Sequence, residues 1–539
     1  MKTWKTNLEE TKQRYINWWN HKGIILSMWE HFQEGVKPHA DIAPPAPARD
    51  LSQKWFDPQW RAEYLDWYVA HSSLMADMLP VANTQLGPGS LAAILGGVFE
   101  GGEDTIWIHP DPNFNDEIVF NPEHPNWLLH KELLKACKAK ANGNYFVGMP
   151  DLMEGLDVLA ALKGTDMVLL DTVMQPEVLE QQMQQINDIY FKVFDELYDI
   201  IREGDEMAFC YFSSWAPGKM SKLQSDISTM ISQDDYRRFV QPFIREQCQK
   251  IDYTLYHLDG VGAMHHLPAL LEIEELNAIQ WTPGVGEPQG GSPKWYDLYK
   301  KILAGGKSVM ACWVTLEELK PLLDHIGADG VHLEMDFHNE REVEQAMRII
   351  EEYTGSSSSV SADVHTNQPV GEQDNAQESI RIREEKSQEE DRMKPLYDAI
   401  VAGKLEPAVE VTKDAIAAGV LPQDIINGYM ITAMGEVGQR FQDGKAFVPQ
   451  LLMAGRAMKG ALELLKPLLA GNASATIGKI VIGTVKGDLH DIGKNLVASM
   501  LEGCGFEVIN IGIDVTCDKF VEAVKENKAD ILCMSALLT

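Results

Sequence analysis

Residues 355–390 hold almost nothing that a folded core can use. Gly355-Ser-Ser-Ser-Ser359 opens a run of Ser, Asn, Gln, Asp and Glu with few large apolar side chains. Such a segment cannot bury enough apolar surface to offset the entropy of ordering it, so it is expected to be a flexible tether. The chain has 539 residues, too many for a single domain, and the tether divides it into separately folding bodies. A tether lets one body visit another, and the same composition equally suits a passive spacer.

After the tether the hydrophobic period changes twice. Across 391–472 it is helical: Met393, Leu396, Tyr397 and Ile400 recur at helical spacing. Periodic segments follow at Leu405 to Ala418, Pro422 to Phe441 and Phe447 to Leu469, with Gly419 and Gly444 in short connections. These features predict an antiparallel helical bundle. Across 473–539, strand-like runs (Lys479–Val485, Glu507–Ile511, Asp530–Met534) alternate with helix-like ones (Ile492–Gly503, Cys517–Glu526). That βαβαβ order predicts a parallel, doubly wound sheet.

The first strand of that sheet leads into Gly483-Thr-Val-Lys-Gly-Asp488-Leu-His490-Asp491-Ile-Gly493-Lys-Asn495. A histidine exposed at a strand's carboxyl end can ligate a metal, and an aspartate two residues earlier can hold its other ring nitrogen. A glycine three residues later lets a bulky group approach the backbone. Asp-x-His-x-x-Gly resembles the signature of cobalamin-binding domains, in particular the corrinoid proteins of methyltransferase systems. The resemblance implies that His490 is the lower ligand of cobalt, with Asp488 as its hydrogen-bond partner. Ser535-Ala-Leu537 matches the family's Ser-x-Leu segment at the end of the third strand and makes Ser535 a further member of the relay. Gly493 would admit the cofactor's nucleotide tail, and Asp491 and Leu537 complete the implied cofactor-binding set. The bundle before it would cap the upper face of the corrin through some of Phe441, Phe447, Val448, Leu451, Leu452 and Met453; taken singly, each suits bundle core as well. The family's sheet has five strands and a later Gly-Gly motif, neither complete in this sequence. The domain is therefore expected to be truncated and to bind cobalamin weakly or not at all.

Residues 1–354 are long enough for an α/β barrel. Strand-like runs alternate with helices at Met167–Leu170, Met207–Phe212, Thr254–Leu258, Ala278–Trp281, Ser308–Val314 and Gly330–Glu334. The fold class expected for the whole chain is α/β: an N-terminal (β/α)8 barrel, a helical cap and the doubly wound domain. Barrels carry their chemistry on the loops after the strands. Gly148-Met-Pro-Asp151-Leu-Met-Glu-Gly-Leu-Asp157, Ser225-Asp226-Ile-Ser228-Thr-Met-Ile-Ser232 and Tyr256-His257-Leu-Asp259-Gly260 resemble the uroporphyrinogen-decarboxylase superfamily, which includes zinc-dependent corrinoid methyltransferases. The arrangement as a whole is similar to the bifunctional halomethane methyltransferases.

That resemblance makes His257 and Asp259 the candidate catalytic residues. Related zinc enzymes carry His-x-Cys here and a second cysteine on a later strand. In this chain Asp259 stands in place of the first cysteine, and Glu334 lies near the second position. A His/Asp/Glu set suits zinc and, being rich in oxygen, other divalent metals as well. Cys312 and Cys210 are alternative sulfur ligands. Metal-free substrate binding by His257 and Asp259 is the competing reading. Trp215, Trp281 and Trp295 either line a pocket or fill the barrel core. His265 and His266, in a helical pattern, read as surface or packing residues.

A net charge of -33 disfavours nucleic acids and anionic membranes as partners. The N-terminus lacks an apolar signal core, no apolar run is long enough to span a bilayer, and the seven cysteines form no Cys-x-x-Cys pair. A cytoplasmic chain is the simple reading. The function expected is a corrinoid-dependent methyltransferase that moves a methyl group between a small donor or acceptor and bound cobalamin. A second methyltransferase and a corrinoid-reactivating protein would be its partners. The alternatives are a corrinoid carrier or sensor whose barrel only docks, and a decarboxylase. Porphyrin-like acids favour clustered arginines, and Arg14, Arg49, Arg61 and Arg202 are scattered in the sequence.

Overall fold

The computed structural model describes residues 3–103, 105–111, 114–354, 386–469, 478–487, 492–503 and 506–536. The chain forms two compact units, Met1–Ser357 and Ser358–Thr539. The expected tether lies outside the described residues as far as 385; from Lys386 the chain is helical.

The first unit is built on parallel strands. In chain order these are β1 (Ile24–Ser27), β2 (Val81–Ala82), β3 (Phe146–Met149), β4 (Met207–Phe209), β5 (Trp215–Ala216), β6 (Met220–Gln224), β7 (Tyr253–Asp259), β8 (Ala278–Thr282), β9 (Ser308–Val314) and β10 (Val331–Met335). One six-stranded sheet has the order β1-β10-β9-β8-β7-β6, all parallel. A second has the order β2-β3-β4-β5, parallel except that β5 turns back on β4. Most of these strands are buried along their whole length, as parallel strands covered on both faces must be.

The expected closed eight-stranded ring is not what the hydrogen bonds draw. Among the described residues no ladder joins β1 to β2 or β4 to β6. The reason is local: β2 has only two residues, and the edge of β4 that would meet β6 is taken by the returning strand β5. The sequence reading missed β1, β2, β3, β5 and β6. It also took Met167–Leu170 for a strand, whereas these residues lie within a helix, Thr165–Met174. Four consecutive apolar residues suit either state. The helix buries Val168, Leu169, Asp171 and Thr172 and leaves Met167, Val173 and Met174 exposed, a spacing only a helix gives.

The first helix, Leu8–Trp19, buries Leu8, Thr11, Lys12, Tyr15, Trp18 and Trp19 on one face. Trp18 donates from Nε1 to the carbonyl of Val309 (3.3 Å), and Lys12 pairs with Glu206 at 2.7 Å. Among the described residues no helix is long and apolar enough to cross a membrane.

The second unit begins with helices Lys386–Val401, Leu405–Ala417, Ile431–Gln442 and Val448–Leu469. Leu396, Ile400, Ala408, Ile425, Met430, Ala461 and Leu465 meet in its core. Gly403 turns the first helix into the second at φ 67°, and a Cβ there would lie 2.6 Å from the Cβ of Met453, so both conformation and space require glycine. A parallel sheet follows: β11 (Lys479–Thr484) at its centre, β12 (Glu507–Asn510) on one side and β13 (Ile531–Ser535) on the other. Helices Ile492–Gly503 and Cys517–Asn527 connect the strands, and Val481, Val515 and Phe520 pack between layers.

Candidate functional site

In the six-stranded sheet, register brings polar residues into a row. His257 of β7 is paired with Gln280 of β8 on one side and with Gln224 of β6 on the other. One step toward the carboxyl ends, Asp259 is paired with Thr282, and β6 has given way to the turn Asp226–Met230. Side chains two residues apart on a strand share a face. Ligand atoms of Asp226, His257 and Asp259 all come within 4.8 Å of one another.

The groups around this trio fix its charge. The Nδ1 of His257 bonds the Oε1 of Gln280. The amide nitrogen of Gln280 donates to the hydroxyl of Thr282 (2.8 Å) and toward the Cys312 sulfur (3.1 Å). That amide orientation assigns the proton of His257 to Nδ1 and leaves a lone pair on Nε2. Burial, with help from the Lys222 ammonium, pushes His257 down to about 3, so the ring is neutral. Burial raises Asp259, against the pull of Lys222. Asp226 keeps an edge in solvent, but it sits in a recess crowded by protein, and this together with the Asp259 charge pushes it up to about 7.

A ring of buried polar groups supports the trio. Asp157 accepts from the backbone N–H groups of Asp226 (2.8 Å) and Ile227 (3.0 Å), which holds the turn carrying Asp226. Burial and the neighbouring Asp226 and Glu154 raise Asp157 well above the carboxylate range. Glu154 caps the helix Gly155–Lys163 at the N–H of Leu156 (3.0 Å), and burial lifts it to about 7. Lys222 pairs with Asp151 at 2.5 Å, with side chains 3 % and 0 % exposed, and its ammonium lies 4.9 Å from the centre of the Tyr211 ring. The three segments singled out in the sequence therefore converge on one place. Sequence reasoning read Asp226 only as a letter of a motif; its place two residues beyond Gln224, at the end of a strand, was the available signal.

Glu334 does not join the trio. It sits on β10, and β9 and β8 stand between that strand and β7. Its neighbours are Ser27 of β1 and Cys312 of β9, and it is 1 % exposed. Burial lifts its carboxyl to about 7. A carboxyl whose folded value lies above its ordinary value contributes stability at low pH that is lost as pH rises through the folded value. The first unit is therefore expected to lose up to about 3 kcal/mol between pH 5 and pH 8 on account of Glu334. Glu334→Gln should remove that part of the slope in thermal melts at the two pH values, and equal slopes would refute it. Cys312 and Cys210 are both buried, and burial raises both thiols. Trp215, Trp281 and Trp295 are core residues, at most 2 % exposed. The arginines are committed elsewhere: Arg14 to Asp77, Arg61 to the carbonyls of Gln85 and Asn83, and Arg202 to Asp199.

In the second unit Asp488, His490, Asp491 and Leu537 lie outside the described residues. Gly493 stands in the first turn of helix Ile492–Gly503, and Ser535 ends β13 opposite Thr484. The chain leaves β11 for one side of the sheet and later returns on the other, so the carboxyl ends of β11 and β13 flank a topological switch point, where open α/β sheets bind ligands. The loop that carries the Asp-x-His signature starts there. Val485 donates to the carbonyl of Ser535 (3.0 Å), and Gly487 to the Asp514 carboxylate (2.8 Å). In the bundle, Val448, Leu451 and Leu452 are buried and serve as core, whereas Phe441 is exposed.

Residues 393–466 and 478–539 match two family models, each described as a B12 binding domain. Over 144 residues the chain is 45 % identical to trimethylamine corrinoid protein 1 of Methanosarcina mazei, covering 26 % of this chain and 67 % of that protein. Over 135 residues it is 47 % identical to dimethylamine corrinoid protein 1 of Methanosarcina acetivorans, covering 24 % and 63 %. Among solved structures it resembles the methanol:cobalamin methyltransferase complex of Methanosarcina barkeri, with 32 % identity, coverage of 30 % of this chain and 64 % of that one, and a TM-score of 0.26. The chain thus spans about two thirds of the length of the curated relatives it matches, and the match takes up about a quarter of the chain.

Proposed function

Because the chain belongs, through residues 393–539, to the B12-binding corrinoid proteins, we propose that the whole of it is a corrinoid-dependent methyltransferase. On this reading the second unit binds cobalamin, and the first is a barrel of the uroporphyrinogen-decarboxylase type that handles the methyl donor or acceptor. The carrying observation is the convergence of Asp226, His257 and Asp259 at the carboxyl ends of parallel strands, where barrels place their chemistry. A unit that only docked a carrier would have no use for a buried ion pair, a locked histidine tautomer and five carboxyls (Asp151, Glu154, Asp157, Asp226 and Asp259) raised by desolvation in one place.

When bound, cobalamin supplies a cobalt centre that accepts and releases a methyl group. The chain's own residues do the rest. His490 would ligate the cobalt, with Asp488 as its hydrogen-bond partner and Ser535 as the next member of the relay. Asp491, Gly493 and Leu537 would line the cofactor. In the first unit the neutral Nε2 of His257 and the oxygens of Asp226 and Asp259 would hold a divalent metal, zinc or a harder ion. Gln280 keeps the ring turned toward it, and the ring of Phe212, 5.9 Å from that of His257, helps exclude water. A second methyltransferase and a corrinoid-reactivating protein remain the partners this reading calls for. Among the described residues six cysteines are free thiols, which suits a reducing compartment such as the cytoplasm.

Two measurements test the reading. Elemental analysis of the full-length protein should find about one divalent ion per chain, lost on His257→Ala; a metal-free wild type removes the metal from the proposal. Reduced, cobalamin-loaded protein should demethylate a small donor in an amount matching its corrinoid, with loss of at least two orders of magnitude on His257→Ala. If no donor among aryl ethers, methylamines, methylthiols and halomethanes is consumed, the carrier reading takes its place.

A further inference from the structure

Four aromatic side chains gather where β1, β4 and β9 end. Trp29 follows β1 by two residues, Tyr211 and Phe212 follow β4, and Trp313 lies near the end of β9. The ring of Trp29 lies 5.0 Å from Tyr211, 4.7 Å from Phe212 and 5.9 Å from Trp313. Phe212 in turn touches His257 at 5.9 Å, so the array adjoins the candidate metal trio. Phe212 is buried, while Trp29, Tyr211 and Trp313 all keep part of their surface open.

The backbone is distorted to place these rings. Phe212 and Ser213 have φ of 56° and 41°, and Trp313 has φ of 53°. Bulky residues with a Cβ avoid that region, and such conformations persist where the surroundings enforce them, often at binding sites. Trp313 is also the extra residue of a bulge: Cys312 pairs with Glu334, and Val314 with the very next residue, Met335. Bulges next to active sites re-aim a side chain.

We propose that Trp29, Tyr211, Phe212 and Trp313 form the subsite for the ring of an aromatic methyl ether, a methyl donor whose ether oxygen then faces the His257 trio. This rests on the methyltransferase reading above. Two observations select a flat, uncharged ring over a methylated ammonium ion, the other ligand that aromatic arrays attract. The Lys222 ammonium already sits over the Tyr211 ring and would repel a second cation. The tilts are also mixed. Trp29 and Trp313 are within 17° of parallel, whereas Tyr211 and Phe212 stand at 65° and 69° to Trp29. That geometry gives a guest ring both a stacking face and perpendicular edges at the usual aromatic spacing. Trp29 and Trp313 are themselves too close for a ring to enter between them, so the guest lies against the open side of the array.

The test is binding to the full chain without added cobalamin, followed by saturation-transfer NMR and calorimetry. The probes are 1,2-dimethoxybenzene, methoxycyclohexane and tetramethylammonium. The dimethoxyarene should bind roughly tenfold or more tightly than the saturated ether, and tetramethylammonium should not compete. Trp313→Leu and Tyr211→Leu, both at partly open positions, should each weaken arene binding several-fold. Equal binding of the two ethers, displacement by tetramethylammonium, or unchanged affinity in both folded variants overturns the proposal. Arene binding without turnover of any donor would instead overturn the methyltransferase reading and leave the subsite standing.

Discussion

Replacing Lys222 by methionine should destabilise the first unit by roughly 3–5 kcal/mol, because it strands the Asp151 carboxylate, 0 % exposed, without its cationic partner. The two charged ends lie 2.5 Å apart, 3 % and 0 % exposed, so neither has solvent to fall back on. Burial already raises Asp151 even with Lys222 present. Without its partner the group must take up a proton or open the structure. Asp151→Leu alone should cost a similar amount, for the mirror-image reason. The double variant should cost clearly less than the sum of the two, since it removes both charges together. Denaturant midpoints of the full-length single and double variants measure this. A single-variant shift below about 1 kcal/mol would mean that water reaches the pair and that it is an ordinary surface bridge.

His490→Gly is the second large effect. In cobalamin-loaded, full-length protein it should convert the visible spectrum wholly to the base-off form. The residues just before His490 in the chain are held at the switch point, Val485 by Ser535 and Gly487 by Asp514. Asp488→Asn should keep the ligand while weakening cofactor affinity by about ten- to a hundred-fold, the usual cost of removing a partner behind a metal-bound imidazole. An unchanged spectrum in the glycine variant would refute the lower-ligand assignment.

What could be read from the sequence followed from period and local chemistry. Helix Ile492–Gly503 was read with both ends correct, because glycine bounds it and its apolar period is regular. The strand Ser308–Val314 was also read end to end. Short parallel strands were not legible: Ile24–Ser27 and Phe146–Met149 have four residues each, too few to show a period. The site was half legible. His257 and Asp259 stand out as polar residues ending an apolar strand, but Asp226 joins them only through register with β6, and register is not written in any one strand. Glu334 was drawn in by its likeness to a family position, and two intervening strands keep it out. Trp215, Trp281 and Trp295 could be read as pocket lining or barrel core and are core, whereas the half-open Trp29 and Trp313 do not stand out in the sequence. Their accessibility depends on loop conformation and on a bulge that no residue pattern announces.

The bulge at Trp313 can be regarded as a one-residue insertion into an otherwise regular strand. A strand side chain changes face with every residue, so deleting Trp313 would not scramble the ladder: it would let Cys312 and the residue after it pair with Glu334 and Met335 in unbroken succession. The first unit should tolerate the loss of that codon better than the loss of either flanking residue. A lineage could then gain or shed the Trp313 face of the aromatic array in one indel while the acid–histidine trio, on β7 and in the turn after β6, stays where it is; on the proposed reading, that makes the end of β9 the natural place for donor preference to drift.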